Sequence, residues 1–151
     1  MKHLKILNTR EVKQLMKHLE IQFGFTKKLG YAFLRSNKGR IYLVTRDIAG
    51  IDLDELRIDS MGNYFATEEP DGLRLSIEGS QLVGPDASKG IVELDDAQFN
   101  SWFKGSDIDV DDNRIGFCIV KHKEDFIGCG KLGSNILRNY VPKTRRILID
   151  I

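Results

Sequence analysis

The sequence has few residues of the types that form disulfide bonds or bind a metal. Among 151 residues there are 2 cysteines, 3 histidines and 1 tryptophan. Two cysteines, Cys118 and Cys129, cannot build a disulfide framework, and no cysteine or histidine has the spacing of a zinc site. No apolar run approaches the roughly 20 residues of a membrane-spanning helix, and the charged, amphipathic start is unlike a signal peptide. We therefore expect reduced thiols, no metal or other cofactor, and a cytoplasmic protein.

Two strings that resemble ligand sites lack what their chemistry requires. Gly128–Gly133 has the spacing GxGxxG, but only 18 residues follow it, too few for the helical crossover of a dinucleotide site. We interpret these glycines as points where a strand bends. The alternating aspartates of 107–111 begin like a calcium loop, yet Asp112 and Cys118 stand where the loop needs its glycine and its bidentate glutamate. With no nucleophile motif either, we predict that the chain is not an enzyme.

Charge is strongly segregated along the chain. Residues 1–46 hold 11 basic and 2 acidic residues, residues 47–112 hold 4 and 17, and residues 113–151 hold 8 and 3. Such segregation bears on partners rather than on fold. Either the basic ends and the acidic middle form a bipolar surface, or the segments interleave in space and neutralise one another.

The first half indicates a small α+β domain. Asn8 and Glu11 have capping-box spacing, apolar residues then recur at helical spacing as far as Phe23, and Gly24 is a plausible helix end. The cations Arg10, Lys13 and Lys17 fall off that apolar stripe, on the solvent side. Strands follow over 31–36 and 40–46, then a short acidic helix over 48–56 and strand pieces at 58 and 63–66. The polar run 68–72 predicts a domain boundary, which divides the chain into domains 1–71 and 72–151.

The second half predicts a small, mostly β barrel. A short strand or turn is expected over 73–77, and short strands over 91–94 and 145–149. An antiparallel pair is expected at 116–121 and 126–132, with His122 exposed in the turn between them. Ser76 is positioned to cap a short helix over 77–83. Asp95 or Asp96 is positioned to cap a second helix, which carries Trp102 and ends at Gly105.

The most distinctive segment is the basic and aromatic stretch 138–146. Arginine can grip a phosphate or stack on a base, and lysine supplies a point charge. Tyr140 either offers a stacking face to RNA or packs in the core, and we expect the core. At least two of Lys143, Arg145 and Arg146 should be exposed.

The order of several glycine-centred blocks resembles a PUA domain, a small RNA-binding pseudo-barrel. The matching blocks are 76–84, 102–108, 116–120, 126–131 and 139–146. The last two are most similar to the PUA-like tail of Sun-type RNA cytosine-5 methyltransferases. A basic α+β domain in front of a PUA-like domain is also similar to small pre-PUA/PUA ribosome-biogenesis proteins of archaea and eukaryotes.

The resemblance implies an RNA surface formed by the first short helix, the strand after it and the last strand. Together with the basic segment, it assigns RNA binding to Gly79, Gln81, Leu82, Lys89, Lys131, Arg138, Lys143, Arg145 and Arg146. The helix block departs from a basic pattern, because it carries Glu78 and Asp86 and no cation before Lys89. Binding would then depend on a local patch or on the basic N-terminal segment.

These observations predict a non-catalytic protein that recognises structured ribosomal or transfer RNA in ribosome biogenesis or RNA modification. One alternative is an adaptor whose acidic middle docks a basic RNA-processing enzyme or ribosomal protein. A second, based on the glycine string alone, is a small nucleotide-directed enzyme.

Overall fold

The structure is a computed structural model that describes residues 4–44 and 63–145. The predicted helix over 48–56, the strand piece at 58 and Arg146 lie outside the described residues. So does the predicted strand 145–149 beyond Arg145, which itself belongs to a 3-10 turn.

Three helices and ten strands occupy the described residues. The helices are α1 (Thr9–Phe23), α2 (Ile77–Val83) and α3 (Asp96–Phe103), with 3-10 turns at Gly84–Asp86 and Lys143–Arg145. The strands are β1 (Leu4–Ile6), β2 (Ala32–Ser36), β3 (Arg40–Val44), β4 (Asn63–Glu69), β5 (Gly72–Leu75), β6 (Ile91–Leu94), β7 (Ile108–Asp109), β8 (Gly116–His122), β9 (Asp125–Gly133) and β10 (Ile136–Asn139).

Two five-stranded sheets organise these elements. The first has the order β1-β2-β3-β4-β5 and is antiparallel throughout. The second has the order β6-β8-β9-β10-β7, with β6 parallel to β8 and the other pairs antiparallel. One of the two sheets curls into a half-barrel, and the predicted α+β fold with a β pseudo-barrel is confirmed.

Local sequence signals fix the helix ends. Asn8 caps α1 in a complete capping box with Glu11, and Gly24 ends the helix in the left-handed conformation with φ of 63°. Ser76 caps α2 and Asp95 caps α3, each side chain accepting a hydrogen bond from the backbone three residues on. All three predicted starts are confirmed, because each is set by side chains within one turn of the helix.

One apolar core joins the two halves of the chain. Leu19 and Phe23 of α1 pack with Phe65 of the first sheet and with Phe117 and Ile119 of the second. A separate cluster around the fully buried Trp102 fills the other face of the second sheet. Burying each such large side chain contributes roughly 1.5–3 kcal/mol, so the two sheets stabilise one another.

The predicted domain boundary at residues 71 and 72 coincides with the turn of the β4–β5 hairpin. β5 pairs with β4 over Ala66–Glu69 and so completes the first sheet. The boundary itself stays a prediction.

The charged segments interleave in space. Acidic residues of the middle segment pair with both basic ends, as in Arg35–Glu68 at 2.7 Å, Lys27–Asp86 at 2.9 Å and Lys131–Asp71. The structure therefore favours mutual neutralisation over a bipolar surface.

The prediction that His122 is exposed is wrong. His122 ends β8, its ring stacks on Phe99 with centroids 4.0 Å apart, and it contacts Asp96 at 2.8 Å. No local pattern predicts strand β10 over Ile136–Asn139. Packing against α3 and pairing with β9 and β7 are long-range contacts that the local sequence does not encode.

Candidate RNA-binding surface

Helix α2 is held tightly against the first sheet. The Ser76 hydroxyl donates to the carbonyl oxygen of Tyr64 at 2.7 Å and accepts from the backbone N–H of Gly79 at 2.8 Å. A Cβ at Gly79 would overlap the carbonyl oxygen of Phe65. Glycine at this position therefore allows the close approach that fixes the helix on β4.

The C-terminal segment returns to α2 through an ion pair. Arg145 Nη1 lies 3.1 Å from Glu78 Oε2 in the first turn of the helix. The 3-10 turn Lys143–Arg145 sets this geometry, and the backbone N–H of Arg145 donates to the carbonyl oxygen of Pro142 at 2.8 Å. Both charged side chains remain nearly half exposed, so the pair can exchange with an external anion.

Asn139 fixes the path of the chain after β10. Its side-chain amide donates to the carbonyl oxygens of Trp102 at 2.6 Å and Ser106 at 3.0 Å. Its side-chain oxygen accepts from the backbone N–H of Val141 at 2.7 Å. The end of α3 thereby positions the segment that carries Tyr140 and the cations after it.

Tyr140 lies at the centre of an aromatic and cationic layer. Its ring meets Phe117 edge-on with centroids 5.8 Å apart, and the Arg74 guanidinium lies 4.9 Å from its centroid. Tyr140 is 36% exposed, so the expectation that it packs in the core is wrong, although Phe117 of β8 and Arg74 of β5 support its ring. The exposed part of the Tyr140 ring could contact a base.

Lys131 extends this layer along β9. Its ammonium group lies 5.1 Å from the Phe117 ring centroid and pairs with Asp71. The hydrogen bond to Asp71 raises the pKa of Lys131, and the same bond lowers the pKa of the Asp71 carboxyl. Lys131 is therefore a firmly charged cation that already has an anion, whereas its cross-strand neighbour Arg138 is exposed.

Two cavities border the ion pair of Arg145. One, of about 190 Å³, lies between α2 and the C-terminal segment and is lined by Tyr64, Arg74, Glu78 and Tyr140. The other, of about 480 Å³, lies beside Gln81 and is lined by Phe99, Phe103 and Phe126. Arg145 lines both cavities, so it stands at the centre of the surface.

The predicted RNA-binding residues divide into three groups: those on the surface around Arg145 and Tyr140, those packed inside the fold, and one that lies apart. In the first group, Gln81 and Arg145 line one cavity, and Lys131 and Arg138 are cross-strand neighbours beside Tyr140. Gly79 is buried and Leu82 is half-buried against the core. Lys143 is exposed next to Arg145, which confirms that two of the three C-terminal cations are exposed. Lys89 lies apart, in a cleft of about 730 Å³ beside α1 with Ile21 and Ile115.

Sequence reasoning missed Arg74. It alternates with the buried Leu73 and Leu75 on β5, so its side chain faces away from the core, and it pairs with Glu69 at 3.1 Å. The alternation could have identified Arg74 as surface-directed, but its stacking on Tyr140 depends on how the two sheets pack.

The described residues contain no group of three or more His, Cys, Asp or Glu side chains that could hold a metal ion. Cys118 and Cys129 are buried free thiols. Burial raises the pKa of Cys129 to about 12 and raises that of Cys118 as well. Within the same residues, no helix is long and apolar enough to span a membrane.

The fold first defines the class of protein. The solved structure of a conserved PUA domain protein from Thermoplasma acidophilum matches with a TM-score of 0.62, covering 95% of this chain and 97% of that one at 13% identity. The chain thus has the fold of a PUA domain protein, with an α+β unit in front of the pseudo-barrel.

The family comparison then specifies the kind of PUA domain. Residues 89–147 match the family model described as the Methyltransferase RsmF PUA domain. The predicted resemblance of this part of the chain to the PUA-like tails of Sun-type methyltransferases is confirmed.

Curated relatives agree with that assignment. Ribosomal RNA small subunit methyltransferase F of Aeromonas salmonicida is 28% identical over 138 residues, which is 91% of this chain and 28% of that protein. The protein of the same name from Vibrio vulnificus is 30% identical over 91 residues, which is 60% of this chain and 19% of that protein. The chain therefore spans less than a third of the length of these relatives.

Proposed function

We propose that this chain is a non-catalytic RNA-binding protein that recognises structured RNA, ribosomal or transfer RNA, in ribosome biogenesis or RNA modification. The observation that carries the proposal is the PUA domain whose first helix and C-terminal segment meet at Glu78 and Arg145. The names of the relatives, which are ribosomal RNA methyltransferases, support ribosomal RNA as the first substrate to test.

The surface has the chemistry that RNA requires. Arg145, Lys143 and Arg138 are exposed cations for phosphates, and Gln81 can hydrogen-bond a base edge or a 2′-hydroxyl. Tyr140 adds a partly exposed aromatic edge. Arg146 stays a predicted member of the same cluster.

Binding at this surface is an exchange of anions. In the free protein, the Glu78 carboxylate forms an ion pair with Arg145, and the Asp71 carboxylate forms one with Lys131. An RNA phosphate would displace Glu78 from Arg145, because an exposed ion pair is worth only about 0–1 kcal/mol. We therefore expect moderate affinity with a clear dependence on salt.

The adaptor alternative has less support. Glu68, Glu69, Asp71, Glu78 and Asp86 all pair with cations of this chain. Carboxylates that are already paired within the chain attract a basic partner weakly.

Fluorescence anisotropy with a labelled ribosomal RNA hairpin tests the proposal. The variant Lys143→Gln/Arg145→Gln should bind at least about tenfold more weakly, with a shallower salt dependence. The control variant Lys38→Gln/Lys123→Gln removes the same charge from the β2–β3 and β8–β9 turns and should bind like the parent protein. Equal affinity for both variants would refute the site, and a parent protein that binds duplex DNA as tightly would refute selectivity for RNA.

A further inference from the structure

A groove rich in lysine lies between α1 and the segment that follows it. Lys13, Lys17, Lys27 and Lys28 line this space of about 410 Å³, with Glu20 as the one acidic residue of the lining. We call these four residues the lysine groove. Val12 and Met16, which pack partly against the core, contribute apolar surface next to the ammonium groups.

Three lysines of the groove have no internal anion. Across residues 4–44 and 63–145, Lys13, Lys17 and Lys28 form no ion pair. Lys27, the fourth lysine of the groove, pairs with Asp86 at 2.9 Å. Because Glu20 is the one acidic residue of the lining, these three unpaired lysines leave the groove with a net positive charge, which favours a polyanionic ligand.

The groove is connected to the proposed RNA surface through α2. Asp86 ends the 3-10 turn that directly follows α2, and Lys27 binds it there. Glu78, in the first turn of α2, binds Arg145. Arg145 and the lysine groove therefore lie at opposite ends of one continuous helical segment, Ile77–Asp86, that is about 16 Å long by helical rise.

This distance matches the spacing of charges on a nucleic acid strand. Phosphates of one strand recur roughly every 3.4 Å along a duplex axis, so about five of them span the segment. Lys13 and Lys17 are one helical turn apart, about 6 Å along α1, and present point charges that suit phosphates without selecting bases.

We propose that the lysine groove is a second contact site for the sugar–phosphate backbone of the same RNA. It is occupied only when the RNA is long enough to extend from Arg145 along α2. This inference rests on the proposed function and extends it to the N-terminal domain. Residues 72–151 hold 11 basic and 12 acidic residues, so the N-terminal domain would supply the positive charge that the second half lacks.

The test compares two hairpin RNAs of the same loop, one too short to extend beyond α2 and one longer by a full helical turn. The groove variant is Lys13→Gln/Lys17→Gln/Lys28→Gln. The matched control is Lys5→Gln/Lys38→Gln/Lys123→Gln, which removes three lysine charges outside the groove. Anisotropy is recorded at several salt concentrations for each pair.

We expect the groove variant to bind the long hairpin about tenfold more weakly than the control. The slope of log K against log salt concentration should be smaller in magnitude by about 2. Affinity for the short hairpin should be the same for both. Equal binding of the long hairpin by the two variants would overturn the groove assignment and leave the proposed function intact. Failure of the parent protein to bind either hairpin would overturn both.

A second ligand, polyglutamate, distinguishes a groove that binds RNA from one that binds an acidic protein. If the groove variant loses binding to a labelled polyglutamate peptide but keeps full affinity for the long hairpin, the groove serves an acidic protein and the proposal is wrong. If the groove variant loses affinity for the long hairpin and the parent protein binds polyglutamate only weakly, the result supports RNA as the ligand of the groove.

Discussion

Arg145 and Glu78 are 67 positions apart in the chain, yet their side chains meet at 3.1 Å. The pair connects the C-terminal turn, which carries the predicted RNA contacts Lys143 and Arg145, to the first turn of α2, the short helix that the PUA resemblance assigns to RNA. Because both side chains are exposed, the pair positions the arginine at little cost in free energy. The same pair also makes the carboxylate of Glu78 a competitor of the RNA.

Removing that competitor should strengthen RNA binding. We expect Glu78→Gln to raise the affinity for a ribosomal RNA hairpin by about two- to fivefold, the equivalent of up to about 1 kcal/mol for an exposed ion pair. Anisotropy measures the effect, and Glu93→Gln, which removes one exposed carboxylate on β6, is the control. If both variants gain equally, the effect is one of net charge and the competition model is wrong.

Gly130 allows the only tryptophan to pack against β9. A Cβ at Gly130 would lie 2.8 Å from Cη2 of Trp102 and 2.7 Å from Cδ1 of Leu137. Gly130→Ala should therefore destabilise the fold by about 1–3 kcal/mol through overpacking, measured by urea unfolding followed through tryptophan fluorescence. Gly133→Ala, whose Cβ would meet nothing within 4 Å, is the control on the same strand. Equal stability of the two variants would contradict this account of the packing.

The two thiols should be inert in the folded protein. Burial raises the pKa of Cys129 to about 12 and that of Cys118 also, and only the thiolate is nucleophilic. At pH 8 a thiol-specific chromogenic reagent should label neither residue in native protein and both in guanidinium chloride. Rapid labelling of a native thiol would show that the second sheet opens or packs differently there.

Glu11 should make stability depend on pH. The pKa of its carboxyl is lowered, first by the hydrogen bond from the backbone N–H of Asn8 and then by that from Lys5. A lowered pKa means that the charge stabilises the fold above the usual glutamate value of about 4.3, and that this contribution is lost as pH falls through the lowered pKa.

The variant Glu11→Gln isolates that charge, because glutamine can still complete the capping box. We expect it to be less stable than the parent protein at pH 7 in urea unfolding, with the difference shrinking below about pH 4. A difference that is the same at pH 3 and pH 7 would mean that the charge has no role.

Much of the fold is encoded within single turns and strands. The Asn8, Ser76 and Asp95 caps, the Gly24 helix end and the β8–β9 pair all follow from residues close together in the chain. The PUA resemblance was predictable for a different reason, since several blocks in the right order identify it jointly.

What sequence reasoning missed depends on contacts between distant segments. The stacking of Arg74 on Tyr140 and the place of His122 against Phe99 arise from packing between elements. Strand β10 forms because β9 and β7 flank it, not because its own residues alternate. The division of cations into paired and unpaired is likewise a property of the folded chain, and only the fold identifies the lysine groove.

The central claim is that RNA binds where α2 meets the C-terminal segment. Amide chemical-shift mapping of the ¹⁵N-labelled protein, titrated with a ribosomal RNA hairpin, tests it most directly. We predict that the largest perturbations fall on Gln81, Lys143 and Arg145, and that they diminish in the Lys143→Gln/Arg145→Gln variant. Perturbations confined to the cleft beside Ile115, or none at saturating RNA, would contradict the claim.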